Sequence, residues 1–420
     1  MLKELTIKNF TSFNNEVTFS MEADTDRVSE HPDHIVEIND NKLLRVASVY
    51  GPNGGGKSNL LKALTVAKSL LQGRTITSDC DLSCVFNDSS MIEEQLFFVN
   101  DDYEMGYSFN VKCVLDDDER SLISKYKPVD FSLEICNEVV VYRKHGEDEF
   151  VMLCTRDNGG AIVGDDFLAL FENKGFRLGK SMSIVTYAYD MFANNDGLLP
   201  KQFEVIRELY REVCSITNLE LTFDKPAEIP VRAISIAMKN KKQLTQMLNN
   251  VDIQIEGIRI DKISETDIFF VRKVNIDGKE CERELPLSAE SAGTRKMFWI
   301  FLWLIEAAKS NKIFYCDDMN AYLHPKLIRA IVEFFQRGNT RSQLIFNSHD
   351  IINMKGDLFR RDEIWFAYRD ENYSSQLVPL SNIVNYKGEQ VRKDATYYKQ
   401  YLEGKYGADP FVARGLNWNE

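Results

Sequence analysis

The stretch Gly51-Pro52-Asn53-Gly54-Gly55-Gly56-Lys57-Ser58 constrains this chain more than any other. It satisfies G-x-x-x-x-G-K-[ST], a spacing with a mechanism. Glycines let backbone N–H groups close around a phosphate chain, the lysine reaches the β- and γ-phosphates, and the hydroxyl ligates Mg2+. A loop of this kind sits between a strand and a helix N-terminus, whose dipole favours an anion. The flanks supply both elements. The largely apolar run Leu43 to Tyr50 predicts one buried strand, and Asn59 to Leu71 carries apolar residues at helical spacing. The stretch therefore predicts an α/β fold that binds a nucleoside triphosphate through Asn53, Gly54, Gly55, Gly56, Lys57, Ser58 and Asn59.

Residues 1–22 read as a hairpin, Leu2 to Ile7 and Val17 to Met21, with apolar and polar positions alternating in both arms. Residues 23–42 are polar and acidic and predict a surface loop. His31 and His34 within it are too few to argue for a metal and are expected to be solvated. From Leu82 to Val163 short β-branched and aromatic runs recur between turn formers: Gln95 to Val99, Tyr107 to Leu115, Asp130 to Ile135, Glu138 to Tyr142 and Phe150 to Cys154. They predict an antiparallel meander. Residues 165–255 are mainly helical, with helices over Lys201 to Ile216 and Lys241 to Val251. Lys239, Lys241 and Lys242 read as a solvated helix start.

Strands return from Ile258 to Leu285. Ser288 to Lys296 then opens a strongly apolar helix running to Ala308. A Ser/Gly-rich helix start can hold an anion, although Ser and Gly are also ordinary helix caps. Ile313 to Cys316 predicts a buried parallel strand that delivers Asp317 and Asp318 at its carboxyl edge, where open α/β sheets bind ligands. There the first acid would hold Mg2+ and the second would polarise an attacking water. The same residues also fit a strand that simply ends in a polar turn. A helix to Arg337 and a second buried strand, Gln343 to Asn347, place His349 at a neighbouring strand end.

A formal net charge of −13, from 64 acidic and 51 basic residues, argues against broad non-specific binding to nucleic acid. The eight cysteines are scattered and form no C-x-x-C pair, as expected of reduced thiols in a cytoplasmic protein. No signal-peptide pattern opens the chain, and the longest apolar segment, Met297 to Ala308, contains Glu306 and is too short to span a bilayer. The sequence brings together no Ser-His-Asp or Cys-His arrangement for nucleophilic catalysis.

The order of these features resembles that of ABC-type ATPases: phosphate loop, Ser/Gly helix start, strand-borne diacid, strand-end histidine. The long separation between the first two is similar to the RecF, SMC and OLD branch of that class, as is Asn9-Phe10-Thr11-Ser12-Phe13. A closer resemblance, to the AbiLi/RloA-type ATPases of bacterial abortive-infection systems, rests on the following stretches. They are Gly51 to Asn59, Val251 to Ile260, Glu290 to Thr294, Asp317 to Pro325, Asn347 to Asp350, Arg361 to Phe366, Val391 to Asp394 and Tyr401 to Gly407. It implies a mixed sheet flanked by helices with an inserted β-meander and helical region. The expected divisions are an N-terminal ATPase lobe over 1–85, the inserted region over 86–257 and a C-terminal lobe over 258–420.

The resemblance also implies that two copies sandwich ATP, with Ser291 and Gly293 of one closing over the nucleotide held by Lys57 and Ser58 of the other. Ser58 and Asp317 would hold Mg2+, and Asp318, His349 and Lys57 would carry hydrolysis. The partners it implies are a second copy of the chain and a separate effector, toxin or nuclease; a nucleic-acid partner and a RecF-like repair role form the alternative. Two positions depart from the pattern. Asp318 stands where Glu is usual, one methylene shorter, which predicts slow hydrolysis. Thr11 stands where Arg is usual. Gln95 is the nearest candidate for a nucleotide-sensing glutamine and reads equally well as an exposed strand residue.

Overall fold

The computed structural model describes residues 1–27, 29–78, 81–114, 129–164, 178–193, 201–219, 231–261, 267–384, 388, 390–392 and 395–407. In chain order, β1 (Leu2–Lys8) and β2 (Val17–Ser20) form the N-terminal hairpin, and β3 (Ile35–Ile38) and β4 (Asn41–Leu44) form a second. β5 (Val46–Tyr50) enters the glycine-rich loop, and α1 (Lys57–Leu71) leaves it. The strand expected over 43–50 is thus two strands in different sheets. Arg45 marks the break: its side chain donates to the Thr340 carbonyl, and its own N–H and C=O bond to His34 and Leu344.

β6 (Ile76–Ser78), β7 (Ile92–Val99), β8 (Tyr103–Val114), β9 (Val129–Lys144), β10 (Val151–Arg156) and β11 (Ile162–Val163) follow. They join the first hairpin in one antiparallel sheet ordered β11-β10-β9-β8-β7-β1-β2, with β6 against β9. Gln95 lies in mid-strand, opposite Thr6 and Ser108. β9 is one strand where the sequence predicts two runs, Asp130 to Ile135 and Glu138 to Tyr142, with Cys136-Asn137 between them. In the fold Asn137 stays paired with Asn110, and Cys136 is the extra residue of a bulge. Glu138 is wholly buried. Its carboxylate accepts from Tyr107 (2.6 Å), Ser183 (2.6 Å), the Ile184 N–H (3.0 Å) and Arg156 (3.2 Å). A buried charge is tolerated where it is paired and hydrogen-bonded in this way.

The remaining helices and strands are α2 (Ile184–Phe192), α3 (Lys201–Ser215), β12 (Thr217–Asn218), α4 (Val231–Lys239), α5 (Lys241–Asn249), β13 (Gly257–Ile260), β14 (Ile268–Ile276), β15 (Lys279–Pro286) and α6 (Ala292–Ala307). After these come β16 (Ile313–Cys316), α7 (Pro325–Gln336), β17 (Gln343–Asn347), β18 (Ile364–Arg369), β19 (Ser375–Pro379) and α8 (Tyr397–Leu402). Lys239 and Lys242 are exposed around the turn between α4 and α5.

The second sheet has the order β12-β16-β17-β5-β18-β19, parallel except for β19. Side chains alternate across it, as the period of a strand requires. Ala47, Val49, Ile313, Ile345, Trp365 and Ala367 face α1 and the antiparallel sheet. Val46, Tyr50, Phe314, Leu344, Phe346 and Phe366 face α6 and α7. Burial on both faces is why these strands read as continuous apolar runs. The same holds for α6, which is apolar all round and buried over most of its length. Tyr401 and Tyr406 of the tail pack on Phe366, with ring centroids at 5.5 and 5.1 Å. Within the resembled tail, residues 393–394 lie outside the described residues. The result is a mixed α/β fold in which the glycine-rich loop leaves the central strand of a mainly parallel sheet.

The loop histidines differ from expectation. His34 is buried, bonds Glu363 at 3.1 Å and stacks on His31, whose Nε2 meets the Gly356 carbonyl at 2.8 Å. The two ring centroids lie 4.7 Å apart and the planes are within 12° of parallel, and one ligand atom from each of His31, Asp33 and His34 lies within 4.8 Å of the others.

Candidate functional site

The central strand β5 delivers the glycine-rich loop at the carboxyl edge of the parallel sheet. Glycine is required there for space as well as conformation. Gly51 has φ 142°, and a Cβ on it would lie 2.0 Å from the Ala367 carbonyl oxygen; Gly56 has φ 106°, and its Cβ would lie 2.6 Å from Ser375 Oγ. Gly56 is also the N-cap of α1 and carries no side chain to satisfy the first N–H groups, which leaves them for an anion.

Lys57 is buried and folds back on the loop, donating to the carbonyls of Gly51 and Pro52 at 2.9 Å each. Burial lowers its pKa, and the charges of Asp318 and Asp317 oppose that shift. Asn53 and Gly54 are exposed at the tip of the loop. Asn59 is turned the other way, donating to Ser12 Oγ at 2.8 Å, and so fastens α1 to the N-terminal segment.

The adjacent strands β16 and β17 end beside the loop. Ser58 Oγ donates to Asp317 Oδ1 at 2.9 Å. The same oxygen accepts from Asn347 Nδ2, and Asn347 Oδ1 accepts the Asp318 N–H at 2.6 Å. Asn347 therefore sets the geometry of both acids. Asp318 Oδ1 and His349 Nε2 are 3.7 Å apart, close enough for electrostatic coupling and too long for a hydrogen bond. Both side chains are about half exposed, 54% and 43%. Asn320 Oδ1 accepts from the His349 N–H at 3.0 Å and from Ser348 Oγ at 3.1 Å, which holds the histidine's main chain.

The structure thus gathers Lys57, Ser58, Asp317, Asp318 and His349 at one sheet edge. It does not bring Ser291 or Gly293 to them. Ser291 caps α6, accepting from the Thr294 N–H at 3.1 Å, and is exposed. Asn347, Asn320 and Lys296, whose ammonium reaches the Asp318 carbonyl at 2.9 Å, were not legible as site residues. The signals for Asn347 and Asn320 were their places in the resembled stretches Asn347 to Asp350 and Asp317 to Pro325, which assigned neither a role.

The donor set fits a Mg2+-nucleotide. A hydroxyl and a carboxylate lie 2.9 Å apart at a helix N-terminus, and hard oxygen ligands of this kind suit that ion.

A family profile described as "AAA domain, putative AbiEii toxin, Type IV TA system" matches residues 249–353, the segment that carries α6, Asp317, Asp318, Asn347 and His349. No curated protein sequence matches the chain. Among solved structures, the SMC head domain from Thermotoga maritima is similar at 15% identity, covering 90% of this chain and 98% of that one, with a TM-score of 0.40. The SMC head bound to the C-terminal winged-helix domain of ScpA is similar at 12% identity, covering 90% and 97%, with a TM-score of 0.46. No helix among the described residues is long and apolar enough to cross a membrane. The loop, the parallel sheet and the matched segment are those of a nucleotide-binding ATPase.

Proposed function

We propose that this chain binds and slowly hydrolyses ATP, that two copies close around the nucleotide, and that it serves as the regulatory subunit of an antiphage defence system acting through a separate effector protein. The observation that carries the nucleotide chemistry is the shared hydrogen bonding of Ser58 and Asn347 to one oxygen of Asp317. It joins the phosphate loop to the diacid.

Backbone N–H groups of Gly54 to Lys57 receive the phosphates, and Lys57 exchanges its carbonyl partners for phosphate oxygens. Ser58 and Asp317 would hold Mg2+, which neutralises charge developing on the phosphates. Asp318 accepts a proton from the attacking water as the water oxygen bonds to the γ-phosphorus and the bond to the bridging oxygen breaks. His349 stabilises the charge on the transferred group. The short Asp318 side chain leaves the base further from the water than a Glu would, and misplacement of about 1 Å can cost on the order of 100-fold in rate.

Ser291 at an exposed helix start, away from its own loop, suits a contact made to the nucleotide of a second copy. The test is light scattering on an Asp318→Ala variant with and without ATP. ATP-dependent doubling of mass is expected; an unchanged mass overturns the two-copy site. The regulatory role is tested by co-expression with the neighbouring gene product under phage challenge, where protection that survives Lys57→Ala would overturn it. Salt-sensitive DNA binding by the free protein would favour a repair role instead.

A further inference from the structure

We infer that Arg369 is a second cation of the nucleotide site, gripping the phosphates from the side of the loop opposite the diacid strands. This deepens the ATP-binding reading above and rests on it.

The register places Arg369 there. β18 runs parallel to β5, with Ile364, Trp365 and Phe366 beside Ser48, Val49 and Tyr50. β5 ends at Tyr50, whereas β18 continues through Ala367, Tyr368 and Arg369, alongside the loop that β5 has become. Ala367 meets that loop at Gly51 and Gly55, and Arg369 meets it at Gly54. A methyl group on Gly54 would lie 3.4 Å from Arg369 Nη2, 3.5 Å from Cζ and 3.9 Å from Nε. The guanidinium therefore lies over the exposed tip of the loop, with no side chain between them.

Among the described residues nothing accounts for the charge being there. Arg369 is exposed, and its side chain forms no hydrogen bond or ion pair with any described residue. The acid next to it is already committed: the Asp370 carboxylate accepts from the N–H groups of Asn372 and Ser374 and from Gln376 Nε2, each at 2.9 Å. The main chain at Arg369 is fixed by its pairing with Ser375 in β19, whose N–H bonds Ser12 at 2.8 Å. The side chain thus projects from a rigid strand.

The other cation of the loop is in the opposite condition. Lys57 is buried and spends its ammonium on two carbonyls of the loop itself. Before ligand binds, Arg369 is the positive charge that an approaching polyphosphate meets. A guanidinium presents a planar fork of N–H donors that matches two phosphate oxygens and stays charged at any working pH. The ligand class is a nucleoside di- or triphosphate, because the loop below Arg369 is shaped for a chain of phosphates.

Calorimetric titration of ATP into the full-length protein and its Arg369→Gln, Arg369→Lys and Lys57→Ala variants tests this. Arg369→Gln is expected to weaken ATP binding about ten-fold or more, since a hydrogen bond to a charged group is lost. Arg369→Lys should restore part of that loss, and the ligand-free melting temperature should be unchanged. Wild-type affinity in Arg369→Gln, with binding lost in Lys57→Ala, overturns the role of Arg369 and leaves the ATP site standing. A lowered ligand-free melting temperature with equal loss in both Arg369 variants also overturns it, because the residue would then be structural. Absence of ATP binding by the wild-type protein fails the reading on which the inference rests.

Discussion

The ammonium of Lys296 on α6 donates to the main-chain carbonyl of Asp318 at 2.9 Å. Asp318 has φ 42°, in the left-handed region. Its N–H is held by Asn347 and its C=O by Lys296, so the unusual backbone is fixed from both sides. Lys296 is five residues along the chain from Ser291 and links the helix that starts there to Asp318, the acid proposed to act in hydrolysis. Lys296→Met is expected to lower ATP turnover at least about ten-fold while ATP affinity stays near wild type. Equal turnover in steady-state phosphate-release assays would show that the contact does not position Asp318.

Asn347 touches both acids, and only one of them is expected to bind metal. Asn347→Leu removes a donor from Asp317 and an acceptor from the Asp318 N–H. Loss of a partner behind a metal ligand typically costs about 10–100-fold in metal affinity or activity. The Mg2+ concentration for half-maximal turnover should rise by that order. An unchanged Mg2+ dependence with reduced turnover would place the effect on Asp318 alone.

Ser291 and Gly293 separate into two roles. A Cβ on Gly293 would lie 2.8 Å from the Tyr322 carbonyl oxygen, so this glycine is needed for packing within one chain. Gly293→Ala should therefore cost about 1–3 kcal/mol of stability, as is typical of overpacking, and lower the melting temperature with or without ATP. Ser291→Arg, at an exposed cap, should leave the melting temperature within a few degrees and abolish ATP-driven association, as read by light scattering. Association that persists in Ser291→Arg argues against Ser291 closing over a second copy's nucleotide.

Glu94 supplies a pH test of the antiparallel sheet. It is buried in β7 between Ile7 and Phe109, and neither carboxylate oxygen has a hydrogen-bond partner among the described residues. Burial raises its pKa well above the ordinary 4.5. In the interval between the unfolded value and that raised value, the native state retains the proton and the unfolded state releases it. Stability is therefore full below the unfolded value and falls as pH rises through the interval, by about 1.4 kcal/mol for every tenfold difference in proton affinity between the folded and unfolded states. Thermal melts from pH 4 upward should show this decline in wild type and a flatter profile in Glu94→Gln. Parallel profiles would mean that Glu94 does not titrate differently on folding.

The legible parts of the site were local in the sequence. The glycine-rich loop, the diacid and the strand-end histidine are each written in fewer than ten consecutive residues. The illegible parts depend on approach between distant segments. Asn347 reaches Asp317, Lys296 reaches Asp318 and Arg369 reaches Gly54, and no spacing rule connects them. The fold shows the same division. β9 read as two runs, Asp130 to Ile135 and Glu138 to Tyr142, and the bulge at Cys136 with the pairing of Asn137 to Asn110 joins them; Arg156, Tyr107, Ser183 and the Ile184 N–H make Glu138 compatible with the core. His34 looked solvated because its partner, Glu363, is remote in the chain.

By itself the sequence determined that a strand, a phosphate-binding turn and a helix follow one another at 46–71, since glycine conformations and helical periodicity are properties of the local chain. It also determined that two acids end a buried strand. Only the tertiary structure decided which groups share a charge environment: that Ser58 and Asn347 meet on one oxygen of Asp317, that Lys57 is spent on its own loop, and that Arg369 lies against the loop at Gly54 with no ion pair among the described residues. Parallel strand order set those distances, and strand order comes from packing both faces of the sheet at once rather than from any one segment.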